Sequence, residues 1–160
     1  MNSEARYISP DAGQRQGVIM GKGSSTDVAR KFLEQVWRSP PSFEDFDDLV
    51  VEDFVFISAG RRIEGREEFK KWATGFIAAI GNMELEVVES FENRDGSRVA
   101  ATWRVTGMNN GAFGTKPDGS PIEMTGSSIM TVRDDGMLVS IRVERSAFEV
   151  YKQLTASNSS

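Results

Sequence analysis

Apolar positions follow a mostly helical repeat in the first half of the chain and a strand repeat from Met83 onward. In the first half Ala29, Phe32, Leu33 and Val36 recur at helical spacing, so a helix is expected that Ser25 or Thr26 can cap and Pro40 and Pro41 stop. Asp27 suits its positive end. A short second helix is expected over 42–50, with Phe43, Phe46, Leu49 and Val50 on one side. Residues 52–58 alternate Phe54 and Phe56 with Val55 and Ile57, as in a strand covered on both faces. Gly60, Arg61 and Arg62 read as a turn, and Gly65 precedes a third helix over 66–80. Its inner stripe is Phe69, Trp72, Ala73, Phe76, Ile77 and Ile80, and Gly81 and Asn82 end it.

From Met83 the period is two. Leu85, Val87 and Phe91 fall in one strand, and Asp95 with Gly96 makes a hairpin turn into a strand over 99–108. A glycine-rich loop with Pro117 occupies 109–120. A strand over 121–132, a tight turn at Asp135 and Gly136 and a strand over 137–145 follow. After Ala147 a short helical end is expected. Helices first and an antiparallel meander second is an α+β order. A strongly twisted sheet of this size curls around its helices and encloses a pocket, which gives a cone-shaped, mostly antiparallel fold. The domain spans 25–154, between a polar, flexible arm over 1–24 and a disordered tail over 155–160.

Composition narrows the chemistry. At 160 residues and 39% hydrophobic, the chain makes one domain with an adequate core. It has no cysteine and no histidine, which removes thiol nucleophiles, thiolate and imidazole metal ligands and the commonest general base. No cofactor or metal is expected; only carboxylate-held calcium or magnesium would remain. The net charge is −5 with no basic stripe, which argues against nucleic acid. No apolar run reaches membrane length and the first 25 residues lack a signal-peptide core, so a cytoplasmic protein is expected.

Several short motifs carry a family likeness. They are the aromatic strand at Phe54 and Phe56, the segment from Ile63 to Phe69, Trp103–Arg104, Gly107 to Gly111, Pro117-Asp118-Gly119, Asp135-Gly136-Met137-Leu138, and Gln153-Leu154. Together they resemble SnoaL-like, polyketide cyclase-like members of the nuclear-transport-factor-two-like superfamily, over about 26–154. The resemblance implies an enzyme of cyclase, isomerase or hydratase type acting on a hydrophobic carbonyl or polyketide-like substrate. It also implies a homodimer. The family's frequent histidine falls on Asn109, a last-strand tryptophan on Arg142, the acid after it on Val143 and a later acid on Ser146. The Asp-Arg-Asp set of limonene-epoxide-hydrolase-like relatives keeps its arginine at Arg104 but meets Thr106 and Val143 in place of acids. Ketosteroid-isomerase-like relatives need an acid where this chain has Ile57 and Ser58.

What remains is a set of candidates. Arg104 is the electrostatic group, with Thr106 and Asn109 orienting substrate or water. Phe56, Trp72, Phe76, Thr102, Glu123 and Val143 are the pocket residues. Alternation puts Arg104 on a face with Thr102 and Thr106, and Trp103 with Val99, Ala101 and Val105 on the other. Arg104 either points into the pocket, with Glu123 as a possible partner, or lies on a solvated sheet. Asn109 commonly serves a loop, and Trp72 and Phe76 commonly serve a core. Large apolar groups on both faces of the 99–108 strand predict a symmetric homodimer through the sheet. A small hydrophobic ligand is the expected partner. The alternative is a non-catalytic ligand-binding or dimerisation protein.

Overall fold

The computed structural model describes residues 24–156. All but the last residue of the expected arm, and residues 157–160 of the expected tail, lie outside them. Helix α1 spans Ser25–Val36 and is capped by Ser24, whose hydroxyl accepts from the Asp27 amide at 3.2 Å. Ser25 instead turns its hydroxyl to the Gly96 carbonyl, 2.7 Å away, tying α1 to the first hairpin turn. The second helix, α2, is a single turn, Phe46–Leu49, because Asp45 stands in the left-handed region at φ 58° and breaks the expected start at residue 42. Strand β1 is Val50–Ser58 and β2 is Arg61–Glu64. Arg61 and Arg62 were expected in a turn with Gly60 and instead open β2; only Ala59 and Gly60 turn, both at positive φ.

Helix α3, Arg66–Ala78, ends before Ile80, which opens strand β3, Ile80–Glu92, by pairing with Asn109. Strand β4 is Arg98–Asn109, β5 is Pro121–Val132 and β6 is Leu138–Arg145, and α4 is Ala147–Ala156. The last helix therefore runs through the first two residues of the expected tail. The six strands form one sheet in the order β2-β1-β6-β5-β4-β3, antiparallel except where β1 lies beside β6. Two bulges in β3, between Gly81 and Glu84 and between Val87 and Glu89, bend its edge around the helices. The result is an α+β cone with a curved sheet.

An aromatic cluster locks the helices into the curl. Phe32, Phe46, Phe54 and Phe69 are fully buried, and the Phe46 and Phe69 rings stack 5.7 Å apart. Each such side chain contributes about 1.5–3 kcal/mol of burial. β1 has one buried face (Phe54, Phe56, Ser58), while Val55 and Ile57 are half-exposed, so the strand is not covered on both sides.

Candidate functional site

The inner face of the sheet is set by alternation. Val99, Ala101, Trp103 and Val105 of β4 and Ile141 and Val143 of β6 turn inward and are buried. Trp103 lies across Gly126 on the neighbouring strand, where a Cβ would sit 2.3 Å from a ring carbon, so only glycine admits the indole. Its ring N–H donates to the Ser128 hydroxyl at 2.8 Å, which satisfies both buried groups. With Trp37, Phe56 and Phe76 these side chains nearly fill the middle of the cone. The hollow left is about 20 Å³, room for roughly one water.

A shallow groove of about 790 Å³ crosses the outer face past Thr102, Arg104, Glu123 and Arg145, and the more enclosed space lies at the open end. A cleft of about 330 Å³ is formed by Ser58, Arg61, Trp72, Phe76, Phe113 and Arg145, with Ala59, Ala79, Ile80 and Ala112 completing the wall. Trp72 and Phe76 come from successive turns of α3, and their rings stack 5.4 Å apart at 18°. Phe113 meets Phe76 edge-on at 6.3 Å. It stands in the left-handed region at φ 56°, a strained place for a bulky residue, between Gly111 and Gly114. Phe76 and Arg145 line both the cleft and the inner hollow and so partition them.

Arg145 is the last residue of β6, two places beyond Val143, so the same alternation turns it inward. Its guanidinium carbon lies 4.5 Å from the centre of Phe76 and 5.9 Å from that of Trp72. Among the described residues it has no acidic partner, and its Nε is buried without a hydrogen bond. Burial pushes its pKa below the ordinary arginine value, yet arginine remains a cation near neutral pH. Ser58, only 4% exposed at the end of β1, also has a buried hydroxyl without a partner among the described residues. Buried polar atoms are nearly always bonded, so two unmatched groups on one cleft single it out.

The residues expected from sequence fall in four places. Phe56 and Val143 line the inner hollow, Trp72 lines the cleft, and Phe76 lines both. Arg104, Thr102, Thr106 and Glu123 lie on the outer face of the sheet and are exposed. The inward option for Arg104 is thus corrected: Trp103 and Val105 take the inner positions. The Arg104 side chain, 47% exposed, pairs with Glu86 at 3.0 Å and reaches Glu123 at 4.0 Å. Asn109 is buried and clamps the 109–120 loop. Its amide N–H groups donate to Thr115, the Lys116 carbonyl and Asp118, and its oxygen accepts from the Gly111 and Ala112 amides. It holds the turn that carries Phe113 and does not face the cleft. Arg145 and Ser58 were missed as site residues. Extending the Ile141, Val143 alternation by one step would have found Arg145. Among the described residues no set of acids gathers that could hold a metal ion, and no helix is long and apolar enough to cross a membrane.

The SnoaL-like domain family model matches residues 28–141. The chain belongs to the SnoaL-like domain family. No curated protein matches the chain by sequence. Solved structures place the fold. A protein from Jannaschia sp. CCS1 named as a SnoaL-like polyketide cyclase superposes with a TM-score of 0.74 at 17% identity, over 82% of this chain and 92% of that one. IdmH from Streptomyces antibioticus, named as a polyketide cyclase, gives 0.70 at 22% identity, over 83% and 99%. An NTF2-like protein of unknown function from Exiguobacterium sp. 255-15 gives 0.58 at 18%, over 77% and 98%. At these identities the superpositions establish the fold. The SnoaL-like cone thus carries, in this chain, a cleft with cations and, among the described residues, no carboxylate.

Proposed function

We propose that this SnoaL-like protein binds a small hydrophobic carbonyl compound in the Arg145 cleft and acts on it as a cyclase, isomerase or hydratase. The observation that carries the reading is the half-buried Arg145 guanidinium over Phe76, unpaired among the described residues and beside the unmatched Ser58 hydroxyl. A desolvated cation placed ahead of the ligand stabilises charge developing on an oxygen without reorganisation during the reaction. The lining has no Asp or Glu and the chain has no histidine, so the contribution is positioning and polarisation rather than proton abstraction. Family membership and the polyketide cyclase names of its structural neighbours support the same class. A binder without turnover is the second reading, favoured by the missing base.

The test is a titration with hydrophobic ketones followed by tryptophan fluorescence, then turnover of a polyketide-like panel. Binding that weakens about 10-fold or more in Arg145→Met supports the site, since a hydrogen bond to a charged group contributes about 1.5–3 kcal/mol. Turnover that falls about 100-fold in the same variant supports an enzyme. Binding without turnover supports the second reading, and no binding overturns both.

The same reading includes a second copy of the chain on the outer face. Phe91, Ala100 and Ile129 form one row across β3, β4 and β5, and Phe91 and Ile129 are 60% and 56% exposed. Arg104 and Arg142 share that face with Glu86, Glu123 and Glu144, so a two-fold axis can set acids against bases.

A further inference from the structure

We infer that the natural ligand is a flat, conjugated carboxylate, gripped by Arg145 and Ser58 and stacked along Trp72 and Phe76. This rests on the cleft being a small-molecule site and names what it takes. Three features of the cleft select this class. Both of its charged side chains, Arg61 and Arg145, are cationic, in a chain whose net charge is −5. A neutral ligand would leave the desolvated Arg145 charge unmatched, whereas an anion supplies the counter-charge that a buried cation requires. The guanidinium is a planar fork whose parallel N–H groups fit the two oxygens of a carboxylate, and its buried Nε–H is one free prong. The buried hydroxyl of Ser58, a residue only 4% exposed, has no partner among the described residues and adds a second donor on the same cleft.

The walls set the shape. Trp72 and Phe76 are parallel within 18° with the Arg145 guanidinium over them, and the Phe113 ring is set at 66° to Phe76, so the cleft wall is aromatic. Aromatic surfaces of this kind favour stacking of another π-system. At about 330 Å³ the cleft is at the small end of the range for such sites, which suits a compact fused-ring acid.

The probes are 2-naphthoate, its neutral counterpart 2-acetylnaphthalene, and the puckered decalin-2-carboxylate. Each is titrated by calorimetry into the full chain, at low and at physiological salt. 2-Naphthoate is expected to bind at least 10-fold tighter than 2-acetylnaphthalene and severalfold tighter than decalin-2-carboxylate. Its affinity should weaken with added salt, because charge pairing is screened. Arg145→Met should weaken 2-naphthoate more than 2-acetylnaphthalene, so that the preference for the anion is lost, and Ser58→Ala should weaken 2-naphthoate. If 2-acetylnaphthalene binds as tightly as 2-naphthoate, the carboxylate inference falls and the proposed function stands. If the decalin acid binds as tightly as 2-naphthoate, the flat frame falls. If none of the three binds, both readings fall together. The wild-type comparison decides between these outcomes even should Arg145→Met fail to fold.

Discussion

Replacing Arg145 by methionine is expected to stabilise the protein while it removes ligand recognition. The guanidinium places a buried Nε–H among apolar groups with no acceptor among the described residues, at a cost of about 1–3 kcal/mol for an unmet donor. Its contacts with Phe76 and Trp72, at 4.5 and 5.9 Å, offset about 0.5–2 kcal/mol of this as cation–π attraction. Methionine follows the arginine side chain as far as Nε, has no donor to satisfy, and carries a sulfur that contributes about 0.3–1.5 kcal/mol against aromatic rings. The balance favours the variant by about 1 kcal/mol, or roughly 4 °C in Tm for a domain of this size. Thermal unfolding followed by circular dichroism reads the shift, and a urea titration with unchanged slope confirms that it is a stability change. A gain in Tm with a loss of binding is the signature of a group held for function at the expense of the fold. A fall in Tm of several degrees would show that the cation is a structural member of the core, and the argument for a waiting ligand would lose its basis.

Asn109→Ala removes the clamp from the 109–120 loop and leaves the half-buried Gly111 amide and the buried Ala112 amide unmatched, so it should cost about 2–3 kcal/mol in urea unfolding. A change below about 0.5 kcal/mol would refute that role. Phe113→Gly relieves a left-handed side-chain position and should raise stability by up to about 1 kcal/mol while widening specificity at the cleft mouth. A clear destabilisation would mean that its ring contact with Phe76 outweighs the strain. The Asp118 carboxyl is held below the usual carboxylate range chiefly by hydrogen bonds from Ser120, then by Asn109. Its stabilisation is therefore complete above about pH 4 and lost as pH falls through the lower folded value, and Asp118→Asn should flatten that acid limb. Ile129→Glu puts a charge in the exposed row with Phe91 and should convert a dimer to monomer in sedimentation velocity; a wild-type chain that runs as a monomer refutes the outer-face pairing.

Much of the fold was legible because its strongest signals are local. Pro121–Val132 and the two Asp-Gly turns stand where alternation and turn chemistry put them. The misses are places where a distant partner decides. Ile80 continues the apolar stripe of α3 but is claimed by Asn109 across the sheet, and Arg61–Glu64 becomes a strand only because β1 offers it an edge. The site was legible in its walls and not in its charge. Phe56, Trp72, Phe76 and Val143 could be chosen from apolar stripes, but a period-two pattern does not say which face of β4 is inner. The greasier face, with Trp103 and Val105, is the buried one, and that places Arg104 outside. Arg145 sits at the end of its strand, where the pattern fades into the helix that follows. What marks it is the absence of a partner among the described residues, which only the folded structure shows.

The parallel seam between β1 and β6 sets when the site can exist. Ser58 registers with Val143 across that seam, two residues from Arg145, so the two free donors arrive on strands from opposite ends of the domain. Such distant pairings are slow to form. On the ribosome the helices and the outer hairpin can gather while the final strand is still unmade, and at that stage the nascent chain has walls and no anchor. The proposed recognition of a ligand is therefore reserved for the finished molecule.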